Sequence, residues 1–491
     1  MPALPVPLHL CATSLGAALT SVLLAACAPP VLQAHVPAPA ATASPTPTAT
    51  AEPAPATTPS PTPTAIAGPH VVLVSIDGMR PDYYTHADAY GLKIPTLRAL
   101  MKRGTYAERV VGTWPTVTYP AHTTLVTGAR PNRHGILANG PFDPTYRNYG
   151  GWNWYAESIK ADTLWAAARR ASKTTGSVYW PVTVGAAIDD NFPQVWRAKQ
   201  DEDDKLLRVL TTPGLAAACE HEYGALPAEH RTDHERANAA ELLVRDRRHD
   251  LTLVYFTDLD EAQHARGPGS PEALATLERI DAELARVLRA VDASGDGART
   301  AVIVVSDHGF AKVSTVVRPA ALLRAAGLIK VGRDGRVTEW QAGVLSAGGL
   351  AAVYLRDPAD TALRDRVAKV LAGASRDPRF GIRAVDGPGV FEGQGGFAGA
   401  SFVLEAAPGF EFEAALSDPP VVASREKGTH GYRPDDPDMA ASLIAAGAGI
   451  RSGPPLPSLS MLAIAPTVAR LLGVTLVDAE APPIAELLAE P

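Results

Sequence analysis

The chain has 491 residues, and its 45 Lys+Arg against 52 Asp+Glu leave a net charge of −7. That mild acidity excludes a nucleic-acid scaffold or a polybasic membrane binder, both of which need clustered positive charge. Apolar residues at 46% and charged residues at 20% describe a globular protein with ample core, and three cysteines are too few for a disulfide framework.

Residues 1–68 carry one charged side chain, Glu52. The apolar run 15–26 falls short of the roughly 20 residues a membrane-spanning helix needs, so it reads as the hydrophobic part of an export signal. Leu24-Ala25-Ala26-Cys27 resembles a bacterial lipobox, which implies a lipoprotein-type signal peptide over 1–26 and lipid attachment at Cys27. Residues 1–10 hold neither Lys nor Arg, a departure from the usual start of such a signal. Residues 27–68, rich in Pro, Ala and Thr, bury too little to offset their ordering entropy and read as a disordered tether. At about 3.1 Å per residue its reach is on the order of 120 Å. The expected location is the bacterial cell envelope, exported and lipid-anchored. Cys11 would be lost with the signal, leaving Cys219 as a buried lone thiol.

From residue 71 the texture changes. Val71-Val72-Leu73-Val74-Ser75-Ile76 is a continuous apolar run, as a parallel strand covered on both faces would be, and it ends at Asp77-Gly78. Residues 251–256 form a second run, followed by Asp258 and Asp260; residues 301–305 form a third, followed by Asp307-His308-Gly309. Helical patterns lie between them, at 95–103 and 272–291. The alternation predicts an α/β fold with a mainly parallel central sheet and helices on both faces. Ligand sites in such sheets lie beyond the carboxyl ends of the strands, where all three acidic clusters fall.

Asp260 and His264 are four residues apart, so one helical turn or a tight loop brings both to one ion. Asp307 and His308 are adjacent, and His430 lies between Gly428 and Gly431, which permit close backbone approach. Imidazole and carboxylate together suit zinc, and three carboxylates in one cleft would repel without cations. His230 and His234 share the i, i+4 spacing but sit in a stretch, 228–248, crowded with charges of both signs, and read as a solvated helix face. His122 and His134 read as structural, each holding a loop by hydrogen bonds. Pro120 is placed to open a short helix with Thr118 just ahead of its N-terminus, where backbone N–H groups favour a phosphate. A threonine hydroxyl attacks only when a base or metal activates it.

Ser75-Ile76-Asp77-Gly78, Thr118-Tyr119-Pro120-Ala121-His122, Thr127-Gly128, His134-Gly135-Ile136, Asn139, Trp180-Pro181, Asp260 and His264 occur in this order, followed by Ser306-Asp307-His308-Gly309, Gly428-Thr429-His430-Gly431-Tyr432 and Ala465-Pro466-Thr467. On these motifs the chain resembles the nucleotide pyrophosphatase/phosphodiesterase family of the alkaline phosphatase superfamily. The resemblance implies an alkaline phosphatase-like catalytic domain over 69–480, with an inserted cap region at about 311–424 bearing helices at 319–326 and 359–374. It implies two zinc ions, one held by Asp77, Thr118, Asp307 and His308, the other by Asp260, His264 and His430. Asn139 would offer its amide to a non-bridging phosphoryl oxygen, and Thr118 would form a phospho-threonine that water then hydrolyses. Two cations about 3.5–4 Å apart suit such an in-line displacement and neutral to alkaline operation.

Ala121 and Gln263 stand where the family often has Asn and Gly; neither position supplies an expected ligand. Asp258 rivals Asp260, but only Asp260 has the family's spacing to His264. Related monoesterases carry a basic pair in the stretch 180–188, which here has no Lys or Arg. That favours a small phosphodiester or nucleotide substrate. A sulfatase motif is missing at Thr118. Tyr119 and Trp180, with Trp196 as a further candidate, could stack on a base. No obligate protein partner is implied. The alternatives are a phosphomonoesterase on the same machinery and a non-catalytic surface binding protein that kept the fold.

Overall fold

The computed structural model describes residues 69–147, 151–196, 203–228 and 231–490. The signal peptide, the tether with Cys27, and His230 lie outside the described residues. Among those described, no helix is long and apolar enough to cross a membrane.

Seven strands form the central sheet: β1 (His70–Ile76), β2 (Thr105–Tyr106), β3 (Thr175–Val178), β4 (Asp190–Phe192), β5 (Leu251–Phe256), β6 (Thr300–Val305) and β7 (Leu443–Gly447). Their order is β2-β7-β6-β1-β5-β3-β4. The five strands from β6 to β4 are parallel, β7 runs antiparallel to β6, and the edge strand β2 runs antiparallel to β7. The three apolar runs of the sequence are thus neighbours at the centre of the sheet. Every residue of β5 and β6 is buried, as is β1 beyond His70, which is why these strands read as unbroken hydrophobic stretches rather than alternating ones.

Register decides where the chemistry falls. Ile76 pairs with Phe256 and Ser75 with Val305, so the three strands end level with one another. Asp77, the Thr257–Asp260 turn and Asp307 therefore emerge side by side at one edge of the sheet.

Helices cover both faces. Pro271–Ala293 begins with Ser270, whose hydroxyl accepts from the Ala273 N–H at 3.2 Å, and buries Leu277, Ile280, Leu284, Val287 and Val291 at helical spacing. Each such side chain contributes about 1.5–3 kcal/mol by leaving water. Pro95–Arg103 agrees with its sequence reading. Thr118–Thr127 starts two residues earlier than Pro120 suggested, so Thr118 is its first residue rather than its cap. Proline is tolerated at the third position because a first-turn N–H has no intrahelical partner in any case. The helix stops at Gly128, φ +68°, where a Cβ would sit 3.0 Å from Pro466 of the Ile464–Leu472 helix.

The segment between β6 and β7 is richer in strands than its two predicted helices, observed at Pro319–Ala325 and Thr361–Ser375. Ala342–Ala347, Leu350–Leu355, Phe402–Ala406 and Ile382–Asp386 form an antiparallel sheet in that order. Ala311–Val317 joins Gly409–Phe412 and Val421–Ala423 in another. Val344, Val353 and Leu404 of the first sheet pack with Val367 and Leu371 of the second helix into a core of their own.

Candidate active site

A cleft of about 660 Å³ opens at the strand ends, lined among others by Asp77, Thr118, Asn139, Asp260, His264 and His430. Asp77 leaves β1 directly, its N–H still bonded to Phe256 O at 2.9 Å. Asp260 and His264 lie one turn apart on the helix Asp258–Arg266. His308 Nε2 sits 3.3 Å from Asp77 Oδ1, 3.2 Å from Asp307 Oδ2 and 3.5 Å from the Thr118 hydroxyl. Asp260 presents one oxygen 3.5 Å from His264 Nε2 and the other 3.7 Å from His430 Nε2. Two groups follow, Asp77–Asp260–His308 and Asp260–His264–His430, with Asp260 common to both.

All three imidazoles are turned the same way. Nδ1 of His264, His308 and His430 bonds the carbonyls of Gly428, Gly309 and Thr116 at 3.0, 3.0 and 3.1 Å. Each Nε2 is thereby left to face an aspartate of the site, the orientation a metal-ligating histidine needs. Glu426 adds a carboxylate 2.9 Å from His264 Nδ1.

The electrostatics fit cations. Asp77 Oδ1, Asp260 Oδ1 and Asp307 Oδ2 are buried with no hydrogen-bond partner, a costly state for a carboxylate. Burial, then the Asp260 and Asp307 charges, push the Asp77 carboxyl well above its usual range. Burial also lifts Asp307 to about 7 and Asp260 to about 6. Burial holds His430 near 3 and His308 well below the usual imidazole range. His264 goes the other way: burial lowers it, but Asp260 and Glu426 outweigh burial and raise it to about 9. Divalent cations between these groups would offset both the burial and the mutual repulsion that hold protons on the carboxylates.

His430 packs against a hairpin of the segment between β6 and β7. Gly348 and Gly349 turn between Ala347 and Leu350; a Cβ on Gly348 would lie 2.2 Å from His430 O, and one on Gly431 only 1.7 Å from Ala347 O. The two backbones approach so closely that only glycine fits.

Asn139 lines the cleft, and its Oδ1 accepts the Tyr119 N–H at 2.9 Å. With that donor taken and none on Pro120, the Thr118 N–H is what the first helical turn retains for an anion, fewer than the sequence suggested. Asp258 is occupied elsewhere: its oxygens meet Arg236 at 3.2 Å and the Asp233 N–H at 3.1 Å.

Two aromatic expectations are corrected. Tyr119 and Trp180 are fully buried and neither lines the cleft. Trp180 packs edge-on to His122, centroids 4.9 Å apart, and Tyr119 packs edge-on to Trp152. Trp196, the further candidate, does line the cleft, stacked at 4.0 Å on Trp152. His134 bonds Thr124 Oγ1 at 3.1 Å and accepts from Ile136 N–H at 3.2 Å, a loop-holding role. His122 bonds Thr118 O at 2.9 Å within its own helix and also lies 3.5 Å from Asp307 Oδ2, nearer the site than expected. His234 is exposed beside Glu283, but its helix is not wholly solvated, because Asp233 and Arg236 are buried.

Several cleft residues escaped the sequence reading. Tyr255 donates its hydroxyl to Asp77 Oδ2. Trp152, Gln194, Glu261 and Glu426 also line the cleft. Only Tyr255 carried a signal, as a polar-tipped residue in an otherwise apolar strand.

Sequence comparison names the family. The family model described as "Type I phosphodiesterase / nucleotide pyrophosphatase" matches residues 71–433, and the chain belongs to that family. Human ectonucleotide pyrophosphatase/phosphodiesterase family member 5 is 28% identical over 252 residues, which is 50% of this chain and 45% of the relative. Human family member 1 is 25% identical over 251 residues, 49% of this chain and 24% of the relative. The chain therefore matches less than half the length of these relatives. Among solved structures, an inactive threonine-to-alanine variant of murine family member 5 in complex with AMP superposes with a TM-score of 0.62 at 21% identity, covering 86% of this chain and 100% of that one.

Proposed function

We propose that the chain is a zinc-dependent hydrolase of phosphodiester or pyrophosphate bonds, acting on nucleotide-type substrates through a phospho-threonine. The observation that carries this reading is the convergence of Asp77, Asp260, Asp307, His264, His308 and His430 on the Thr118 side of one cleft, with three buried carboxylate oxygens lacking partners.

Asp77, Thr118, Asp307 and His308 would hold one zinc and Asp260, His264 and His430 the other. Zinc bound there supplies charge for the phosphoryl oxygens and favours an ionised hydroxyl at neutral pH. Thr118 Oγ forms the new bond to phosphorus while the ester or anhydride oxygen leaves, and water later opens the phospho-threonine. Asn139, its Oδ1 committed to the Tyr119 N–H, offers its NH2 end to a non-bridging oxygen. The Trp152–Trp196 pair supplies an aromatic face for a base. The murine relative's capture of AMP after loss of a threonine supports both the nucleotide and the nucleophile. The hairpin at Ser346, Ala347 and Gly348 makes the inserted region a wall of the cleft, in keeping with a cap.

None of the described residues lining the cleft is Lys or Arg. A diester presents one negative charge at phosphorus, whereas a monoester presents a second that a basic residue would have to meet. The test compares the nitrophenyl ester of a nucleoside monophosphate with nitrophenyl phosphate, which share a leaving group. We expect kcat/KM to favour the diester by at least about tenfold. A monoester preference of orders of magnitude would make the protein a phosphomonoesterase. Fewer than two divalent ions per chain, with no turnover of either ester, would point to a binding protein.

The same reading places the enzyme outside the cytoplasm, tethered through lipid on Cys27. Cys27→Ala is expected to move the protein from the membrane pellet to the soluble fraction with kcat unchanged; retention in the pellet would rule the anchor out.

A further inference from the structure

Between the two ligand sets lies a fully buried side-chain amide, Gln263. It stands three residues after Asp260 and one before His264. Its Nε2 donates to Gly78 O at 3.0 Å, and its Oε1 accepts the Tyr83 hydroxyl at 2.6 Å. Tyr83 in turn accepts the Gly269 N–H at 2.9 Å, just beyond the end of the helix that carries Gln263. On the opposite side, the Gly78 N–H donates to Asp307 Oδ1 at 3.1 Å.

Gly78, the residue after Asp77, is thus gripped by both of its backbone polar groups, one from each half of the site. The contact is close: at φ +65°, a Cβ on Gly78 would lie 2.9 Å from Gln263 Nε2 and 2.8 Å from the Phe310 ring. Only glycine admits the amide to the Gly78 carbonyl. A buried amide with both ends bonded is directional; an apolar side chain of equal volume would fill the space without selecting one position of the turn.

We propose that Gln263 is a positioning residue that fixes the spacing between Asp77, Asp307 and His308 on one side and Asp260, His264 and His430 on the other. The inference rests on the two-metal reading above, and it makes pair formation, rather than either ligand set alone, dependent on one amide. Loss of such an outer partner lowers metal affinity by about 10–100-fold.

The test is zinc titration of the full chain against a chromophoric chelator, with the thermal midpoint of the metal-free protein measured alongside. Gln263→Met keeps the volume and removes both bonds; Tyr83→Phe loosens Gln263 without touching Gly78. The wild type is expected to bind two zinc ions. Gln263→Met is expected to weaken the second by about 10–100-fold, and Tyr83→Phe to weaken it in the same direction by less. A purely structural amide would lower the thermal midpoint and leave both affinities within about threefold of wild type, a result that overturns the proposal. Should Gln263→Met not fold, unchanged affinities in Tyr83→Phe overturn it equally. A wild-type chain that takes up fewer than two ions defeats the two-metal reading instead, a distinguishable outcome.

Discussion

Thr118→Ala is expected to reduce kcat by about 10⁴-fold or more, the scale at which removal of a nucleophile acts, while KM changes little. The hydroxyl is buried and lies 3.5 Å from His308 Nε2, beside the acidic and histidine groups of the site. Stability should hardly change. The helix cap is Val117, without a side-chain bond, and Thr118 is the first helical residue, where alanine is well tolerated. Thr118→Ser, which keeps the hydroxyl, should retain measurable turnover. Steady-state kinetics on the nucleotide nitrophenyl ester, with mass spectrometry of rapidly quenched enzyme, checks both parts. A nucleotidyl adduct on Thr118, in which its oxygen has replaced nitrophenolate on the nucleotide's phosphorus, is expected in the wild type. More than about 1% residual turnover in the alanine variant would remove Thr118 from the chemistry.

Stripping divalent ions should abolish turnover and change how stability depends on pH. In the metal-free chain Asp307 holds its proton to about pH 7, Asp77 holds its own well above the usual range, and His264 stays protonated to about 9. Above about pH 6.5 the unfolded chain has released these protons, so the folded state binds more of them and stability falls as pH rises. His308 and His430, held neutral by burial, work in the opposite direction, but only below that pH. The thermal midpoint of chelator-treated protein is therefore expected to decline from pH 6.5 to 9. With zinc present the decline should vanish or reverse, because ions bind the deprotonated ligands best. Parallel melting curves with and without chelator measure it; identical slopes would mean that the carboxylates are not the binding groups.

The central strands and most of the candidate site are legible in the amino-acid order. Three parallel strands buried on both faces leave unbroken apolar runs, and each run ends in aspartate. Helices at 95–103 and 272–291 declare themselves through proline starts and apolar spacing. The segment between β6 and β7 is harder. Its strands, such as Ala342–Ala347 and Leu350–Leu355, are built largely from Ala, Gly and Leu, which carry little strand preference and no clear alternation. Its helices show in the residue pattern and its sheets do not. The aromatic lining is hidden for a related reason: Tyr119 and Trp180 stand beside recognisable motifs, but adjacency in the chain does not say which face of a ring meets the cleft.

What the amino-acid order determined by itself is local: which runs are strands, where they stop, and which ligand-type residues follow them. The candidate ligand residues span positions 77 to 430, and nothing along the chain measures the distance between them. Register did that, pairing Ile76 with Phe256 and Ser75 with Val305 so that the strand ends fall level. Close backbone packing did the rest, seating the Gly348 turn on His430 and the Gln263 amide on Gly78. Such contacts depend on the exclusion of a single Cβ between segments far apart in sequence, and only the folded chain brings those segments together.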